Sequence, residues 1–143
     1  MSHAPTLVDS GFLVALGIRR DPRHEAAKAW LRNSGAPLLV PGPVVAESCY
    51  FFSPQAKCEL LRWVAEGRRL RMLDIPAAAH GDIATIIGKY ADRDPDFADA
   101  ALIWAANTFH CARILTVDRA DFEVYRLQGG KRFHIVDWQD NGA

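Results

Sequence analysis

Thr6-Leu7-Val8-Asp9 is a short apolar run that stops at an acid, and Ile114-Leu115-Thr116-Val117-Asp118 has the same form near the other end of the chain. Uncharged runs of this length are typical of strands that are buried on both faces of a sheet. The runs 37–40 and 133–136 are also mostly apolar, and 70–75 is predicted as a strand although it includes Arg71 and Asp74. The sequence therefore predicts five short strands.

Helical spacing of apolar residues fills most of the chain between these strands. Helices are predicted over residues 10–16, 22–33, 44–51, 54–67, 77–90 and 97–110. Strands that alternate with helices are joined by crossover connections, which place helices on both faces of a parallel sheet. We therefore expect an α/β fold whose functional site lies at the carboxyl ends of the strands.

The composition is that of an ordinary globular chain. Its 143 residues have the length of one domain, which we expect to span 1–143. Seventeen basic residues balance seventeen acidic ones, so bulk charge alone would not hold nucleic acid or an anionic membrane. No apolar run reaches the roughly 18 residues that cross a bilayer, and residues 1–5 lack the pattern of a secretory signal.

Cysteine usage and sequence motifs argue against several kinds of site. Cys49, Cys58 and Cys111 form an odd set without C-x-x-C spacing, which favours neither a disulfide framework nor a thiolate metal site. We therefore expect a cytoplasmic protein. The chain has no G-x-S-x-G, Walker or G-x-G-x-x-G motif, so acyl transfer and nucleotide binding have no support.

Four acidic residues belong to segments whose composition otherwise predicts burial. Asp9 and Asp118 end apolar strands, Glu47 lies inside the apolar run 44–50, and Asp99 lies inside 97–104. Acidic side chains are almost never fully buried unless something pairs with them. No lysine or arginine lies in the apolar stretches around the two helical acids. We therefore consider that all four acids lie together in one functional site.

Simpler interpretations remain open for three acids. Asp9 or its neighbour Ser10 can cap the first helix, and Asp118 can cap a short helix that follows it. Asp96 is either the N-cap of the sixth helix or a partner of Asp99 on the same helical face. The two acids inside apolar helices have no such alternative.

Converging carboxylates would repel one another. Two like charges about 4 Å apart cost about 4 kcal/mol at an effective dielectric near 20. The repulsion is relieved when the acids share protons through raised pKa values, or when divalent cations bind among them. Ligands that are all oxygen suit Mg²⁺ or Mn²⁺ rather than zinc, and such ions are used to cut phosphodiesters.

Four segments carry a family resemblance: Leu-Val-Asp-Ser-Gly-Phe-Leu-Val-Ala-Leu at 7–16, Val-Val-Ala-Glu at 44–47, Asp-Phe-Ala-Asp-Ala-Ala-Leu at 96–102 and Leu-Thr-Val-Asp-Arg-Ala-Asp-Phe at 115–122. In this order the chain resembles a PIN domain, and it is most similar to the small VapC-type toxins of prokaryotic toxin–antitoxin pairs. The resemblance implies a three-layer α/β/α sandwich around a parallel sheet of about five strands. It also implies an endoribonuclease that depends on Mg²⁺ or Mn²⁺.

The resemblance also implies roles for individual residues. Asp9, Glu47, Asp99 and Asp118 match the acidic positions of the catalytic metal site, and Asp96 matches an acidic position often found beside the third. Ser10 and Thr116 match hydroxyl residues that hydrogen-bond the acids in many members of the family.

Recognition of an RNA substrate needs cations near the cleft. Arg119 is the first candidate for a phosphate contact because it follows one of the acids. Two basic clusters are further candidates, although such clusters are usually solvated faces: Arg68, Arg69 and Arg71, and Arg126, Lys131 and Arg132.

The resemblance further implies a homodimer and a cognate antitoxin whose chain lies in an apolar groove and blocks the acids. The first three helices offer side chains for such a groove, which equally well belong to the core: Phe12, Val14, Leu16, Trp30, Tyr50, Phe51 and Phe52.

Two other functions remain open. One is a non-catalytic module that binds protein or RNA, whose acids hold a structural cation. The other is a DNA nuclease that acts on flaps or single strands. Substitution of Asp99 by asparagine distinguishes catalysis from a structural role, since it removes one charge and keeps the shape of the side chain.

Overall fold

A computed structural model describes residues 4–139 of the chain. Residues 1–3 and 140–143, the two ends of the expected domain, lie outside the described residues. Three of the residues 1–5, which lack the pattern of a secretory signal, are therefore not described either. Among the described helices, none combines the length and the apolar character needed to span a bilayer.

Within the described residues, five parallel strands form one sheet in the order β3-β2-β1-β4-β5. The strands are β1 (Thr6–Val8), β2 (Leu38–Pro41), β3 (Leu70–Leu73), β4 (Arg113–Leu115) and β5 (His134–Ile135). The order places β1 between β2 and β4, so the winding of the chain reverses at the β1–β4 pair. In parallel sheets such a switch point opens a crevice at the carboxyl ends of the strands.

Seven α-helices flank this sheet within residues 4–139. They are α1 (Ser10–Gly17), α2 (His24–Asn33), α3 (Gly42–Cys49), α4 (Pro54–Glu66), α5 (Ala79–Lys89), α6 (Phe97–Thr108) and α7 (Arg119–Val124). The predicted α/β/α sandwich around a parallel sheet of five strands is confirmed.

The core is built around β1 and α6. All three residues of β1 are fully buried, as expected for a central parallel strand. Helix α6 buries Ala98 and every residue from Ala100 to Ala106, which confirms the burial predicted from the composition of 97–104. Its five alanines in this run allow the helix to pack against β2, α3 and α5.

Several elements end one or two residues earlier than predicted, and two of them, α3 and β4, do so because their backbones bond to other partners. Helix α3 stops at Cys49, and the amides of Tyr50 and Phe51 bond to carbonyls three residues earlier, as in a tightened last turn. Strand β4 stops at Leu115, because the next carbonyl, that of Thr116, accepts hydrogen bonds from the side chains of Trp138 and Gln139. The remaining strand boundaries differ from the predictions by one or two residues.

Helix α1 lies unusually close to the loop that follows β4. A Cβ atom on Gly11 would lie 2.6 Å from Cγ2 of Val117, so the side-chain hydrogen of glycine is what permits this approach. The start of α1 and the segment before Asp118 are therefore packed together at the switch point of the sheet.

Candidate active site

Asp9 lies directly after β1 and is almost completely buried, with 2% of its surface exposed. Its Oδ1 accepts a hydrogen bond from the amide of Ser10 at 2.8 Å, and its Oδ2 accepts one from the Thr116 hydroxyl at 2.8 Å. Asp9 is therefore the N-cap of α1, and the alternative that Ser10 caps this helix is wrong. Burial raises the pKa of Asp9 to about 7, against the lowering effect of the two hydrogen bonds.

Glu47 projects from α3 toward the same place. Its Oε1 accepts a hydrogen bond of 2.5 Å from the hydroxyl of Ser10, the residue whose amide binds Asp9. Burial raises the pKa of Glu47, the Ser10 hydroxyl lowers it, and the nearby carboxylate of Asp96 raises it further. The two acids on β1 and α3 are thus joined through one serine.

Asp99 lies in the first turn of α6, where the N-cap Asp96 accepts a hydrogen bond of 2.8 Å from its amide. The Tyr125 hydroxyl donates to Oδ2 of Asp99 at 3.0 Å. Burial, followed by the negative charges of Asp9 and Asp96, raises the pKa of Asp99 to about 8. Burial and the Asp99 carboxylate also raise the pKa of Tyr125, so its phenol keeps the proton that it donates.

Asp118 is placed by Thr116 rather than by a helix cap. It precedes α7, but its side chain makes no cap hydrogen bond, which counts against the capping interpretation. Its amide donates instead to the Thr116 hydroxyl at 3.0 Å. Partial removal from water raises the pKa of Asp118, and the carboxylates of Asp121 and Asp96 raise it further.

The acids surround one cavity of about 360 Å³, the acidic cavity. It is lined by Ser10, Glu47, Phe51, Arg93, Asp94, Pro95, Asp96, Asp99, Asp118, Asp121 and Tyr125. Of the residues predicted for the site, Asp9 and Thr116 are fully buried and do not line it. The charge of Asp9 nevertheless acts on Asp99, so the structure brings the four predicted acids and Asp96 into one neighbourhood.

The donor set of the acidic cavity fits a hard divalent cation in its chemistry. Within residues 4–139, no three histidine, cysteine or acidic side chains are already arranged to hold a metal ion. The carboxylates are directed instead at hydroxyl groups of Ser10, Thr116 and Tyr125. Burial and then the neighbouring carboxylates raise the pKa values of Asp9 and Asp99, and a divalent cation would favour their ionised forms.

The basic residues predicted to meet RNA do not line the acidic cavity. The Nε of Arg119 lies 4.0 Å from Oε1 of Glu123, along the exposed side of α7. Arg69 donates to the carbonyls of Ser34 and Ala36, and Arg126 donates to carbonyls in the segment 123–125. Their contact with RNA stays a prediction.

Two of the cavity residues that sequence reasoning missed matter most to its chemistry, Tyr125 and Arg93. Tyr125 lies in a mostly polar stretch, so nothing indicated that its ring is buried and its hydroxyl bonded to Asp99. Arg93 alternates with Asp92 and Asp94, a pattern typical of a solvated loop, yet it lines the acidic cavity. The single clue was the position of this loop immediately before Asp96.

A larger apolar groove of about 690 Å³ lies between α1, α2 and α4. It is lined by Leu13, Leu16, Gly17, Arg19, His24, Leu31, Phe52, Ser53, Gln55, Ala56, Glu59, Leu60 and Trp63. Only Leu16 and Phe52 of the side chains proposed for a groove line it. Phe12 is in the core, as the alternative interpretation held, and Phe51 is exposed beside the acids, so most of the candidate side chains lie outside this groove.

Comparison with known proteins identifies the family of this chain and a similar protein. A family model described as PIN domain matches residues 6–127. Ribonuclease VapC26 of Mycobacterium tuberculosis is 31% identical over 134 residues, which cover 91% of this chain and 98% of that protein.

Two solved structures share the fold. Mycobacterium tuberculosis VapC20, described as a toxin that cleaves the Sarcin-Ricin loop, has a TM-score of 0.71 at 17% identity and matches 81% of this chain and 93% of its own. VapBC2 of Rickettsia felis, bound to a DNA fragment from the promoter, has a TM-score of 0.57 at 12% identity and matches 93% and 99% of the two chains.

The raised pKa values of Asp9 and Asp99 predict how the stability of the metal-free protein depends on pH. Both groups titrate near pH 4 when unfolded but near pH 7 and 8 when folded, so the folded chain binds more protons between these limits. The free energy of unfolding therefore falls as pH rises from about 5 to 8. We expect a lower melting temperature at pH 8 than at pH 5.5 in EDTA, and a flatter profile for Asp99→Asn. A melting temperature that rises over this range would contradict the assignment.

Proposed function

The chain belongs to the PIN-domain family, and from this membership together with the acidic cavity we propose that it is a metal-dependent endoribonuclease, the toxin of a toxin–antitoxin pair. The observation that carries the proposal is the meeting of four acids that form no close ion pair within residues 4–139. They come from the residue after β1, from α3, from α6 and from the loop after β4. We propose one nuclease domain, formed by the whole chain.

We assign the acids to a divalent metal, Mg²⁺ or Mn²⁺. Asp9, Glu47, Asp99 and Asp118 would hold it, with Asp96 beside them. Such an ion, when bound, lowers the pKa of an attacking water and neutralises charge on the phosphate. This chain has no need of a covalent nucleophile for that reaction.

The hydroxyl groups around the acids would fix the direction of the carboxylate oxygens. Ser10 donates to Glu47, Thr116 to Asp9 and Tyr125 to Asp99, and each bond fixes the direction of one carboxylate oxygen. Both oxygens of Asp9 accept a bond, since the Ser10 amide binds the second, and each carboxylate keeps further lone pairs for a ligand. In this scheme Ser10, Thr116 and Tyr125 position the acids and do not react. Arg119 remains a proposed contact to an RNA phosphate, from the exposed side of α7.

A cognate antitoxin would bind in the apolar groove between α1, α2 and α4. The support is the lining of the groove. It combines apolar side chains such as Leu16, Leu60 and Trp63 with the charged side chains of Arg19 and Glu59. A homodimer is supported by large apolar side chains that are exposed, notably Tyr50 at 89% and Phe51 at 62%. We propose the cytoplasm as the location, because the three cysteines are free thiols.

Asp99→Asn is expected to abolish activity while keeping the fold. The substitution removes a proposed metal ligand and relieves repulsion with Asp9 and Asp96, so we expect at least a hundredfold slower cleavage, to an order of magnitude, and equal or greater stability at pH 8. The measurement is cleavage of end-labelled structured RNA with Mg²⁺, Mn²⁺ or EDTA. Asp82→Asn, on the exposed surface of α5, is the matched control.

The same assay separates the alternatives. Unfolding of Asp99→Asn, together with no effect of metal on the wild type, would indicate a structural acid in a non-catalytic module. Equal cutting of a single-stranded DNA of the same sequence would indicate a DNA nuclease. Full activity of the variant would point to a contaminating nuclease.

Trp63→Ala is expected to weaken antitoxin binding, because it removes a large apolar wall of the groove. Loss of a buried aromatic anchor typically costs about 2 kcal/mol or more, which corresponds to roughly thirtyfold in Kd. The measurement is titration of the chain with its cognate antitoxin, to be sought as the product of a short reading frame upstream of the gene. Leu61→Ala, on the same helix but outside the groove, should bind as the wild type does. Equal affinity of the Trp63 variant would show that the antitoxin binds elsewhere.

A further inference from the structure

The acidic cavity presents an electrostatic difficulty for the proposed substrate. Six carboxylate side chains line it, and among the lining residues that the structure describes there is one cation, Arg93. RNA is a polyanion, so its phosphates are repelled by such a cavity unless positive charge is supplied. Metal ions would neutralise the carboxylates proposed to hold them. A cation at the rim of the cavity is needed to attract the phosphate next to the one that is cut.

Arg93 is held at this rim by an ion pair. Its Nη1 donates to Oδ1 of Asp121 at 2.8 Å, and both side chains are partly exposed. This hydrogen bond uses one of the five N–H groups of the guanidinium, which leaves donors in its planar fork for another acceptor. An ion pair that is partly open to water contributes little stability, so Arg93 can share its charge with a phosphate at small cost.

The backbone around Arg93 is well fixed relative to the acids. Arg93 ends a 3₁₀ turn, its amide bonds to the carbonyl of Tyr90 at 2.9 Å, and Asp96 follows three residues later. The ring of Tyr90 packs on that of Tyr125, with centroids 5.0 Å apart. Because Tyr125 also bonds to Asp99, the turn that carries Arg93 and the proposed metal ligand share one support.

We propose that Arg93 binds a phosphate oxygen of the RNA next to the bond that is cut. The inference rests on the proposed ribonuclease function and assigns to it a substrate-binding residue. The guanidinium suits this task because its parallel N–H groups match two oxygens of one phosphate. The contact is to the backbone, so Arg93 would fix the position of the strand and not the choice of base.

A purely structural role for the Arg93–Asp121 pair makes different predictions. In that case the pair only joins the turn before α6 to α7, and removing either partner has the same effect. If Arg93 binds phosphate, removal of the arginine weakens RNA binding, whereas removal of Asp121 does not, because it takes one carboxylate from the rim and leaves the guanidinium in place.

The test is binding of a fluorescein-labelled RNA hairpin, followed by fluorescence anisotropy in Mg²⁺ between about 50 and 200 mM KCl. The chains keep Asp99 so that the proposed ion can bind. The RNA carries phosphorothioate linkages that slow its cleavage, and its integrity is checked on a gel after each titration. Arg93→Gln should raise Kd about tenfold and reduce the slope of log Kd against log salt by about 0.7, the value for one contact to a single strand. Arg62→Gln, an exposed arginine of α4 that does not line the acidic cavity, should change neither quantity.

Asp121→Asn and Arg93→Lys complete the design. We expect equal or tighter RNA binding for the first, and for the second a salt dependence like that of the parent with weaker affinity, because lysine keeps the charge and loses the fork. Equal losses of affinity for Arg93→Gln and Asp121→Asn would overturn the inference in favour of a structural pair. Unchanged affinity and slope for Arg93→Gln would overturn it as well.

Steady-state cleavage by chains that keep Asp99 tests the role of Arg93 separately from the proposed ribonuclease function. Arg93→Gln should raise KM about tenfold with little change in kcat, as expected for a contact made equally before and during reaction. Wild-type kinetics for Arg93→Gln would remove the role of Arg93 and leave the ribonuclease standing. Absence of metal-dependent RNA cleavage by the wild type would overturn both.

Discussion

The hydrogen bonds around the buried carboxylate of Asp9 are the constraint on which the site depends. Its two oxygens bind the Ser10 amide and the Thr116 hydroxyl, which fixes the start of α1 against the end of β4. The Ser10 hydroxyl then binds Glu47, and the Thr116 oxygen receives the amide of Asp118. One buried acid at the switch point of the sheet therefore sets the positions of two others.

This arrangement favours function at the expense of stability. Burial and like charges raise the pKa of Asp9, Glu47, Asp99 and Asp118, so ionising these carboxylates costs more free energy in the folded chain than in water. Proteins often retain such a conflict at sites whose ligand relieves it. A divalent cation among the carboxylates is the relief that the oxygen donors permit. The same repulsion explains why a cation at the rim, Arg93, matters to a polyanionic substrate.

The sequence identified site residues where an acid lies in an otherwise apolar segment. It did not identify residues whose roles depend on contacts with distant parts of the chain. The run 6–8 and the helix 97–108 are apolar enough to predict β1 and α6, and an acid within or after such a run is visible without a structure. Tyr125 and Arg93 lie in polar surroundings, and their roles arise only from contacts across the fold. The end of β4 was missed for the same reason, because the Thr116 carbonyl binds side chains more than twenty residues away.

The central claim is that these carboxylates bind a divalent cation, and direct titration with Mn²⁺ tests it most simply. The electron paramagnetic resonance signal of free Mn²⁺ falls when the ion binds, and the measurement requires neither substrate nor activity. The account predicts at least one ion bound per chain at pH 8, with binding lost in Asp99→Asn and retained in Asp82→Asn. Equal binding by all three proteins, or no binding by the wild type, would contradict it.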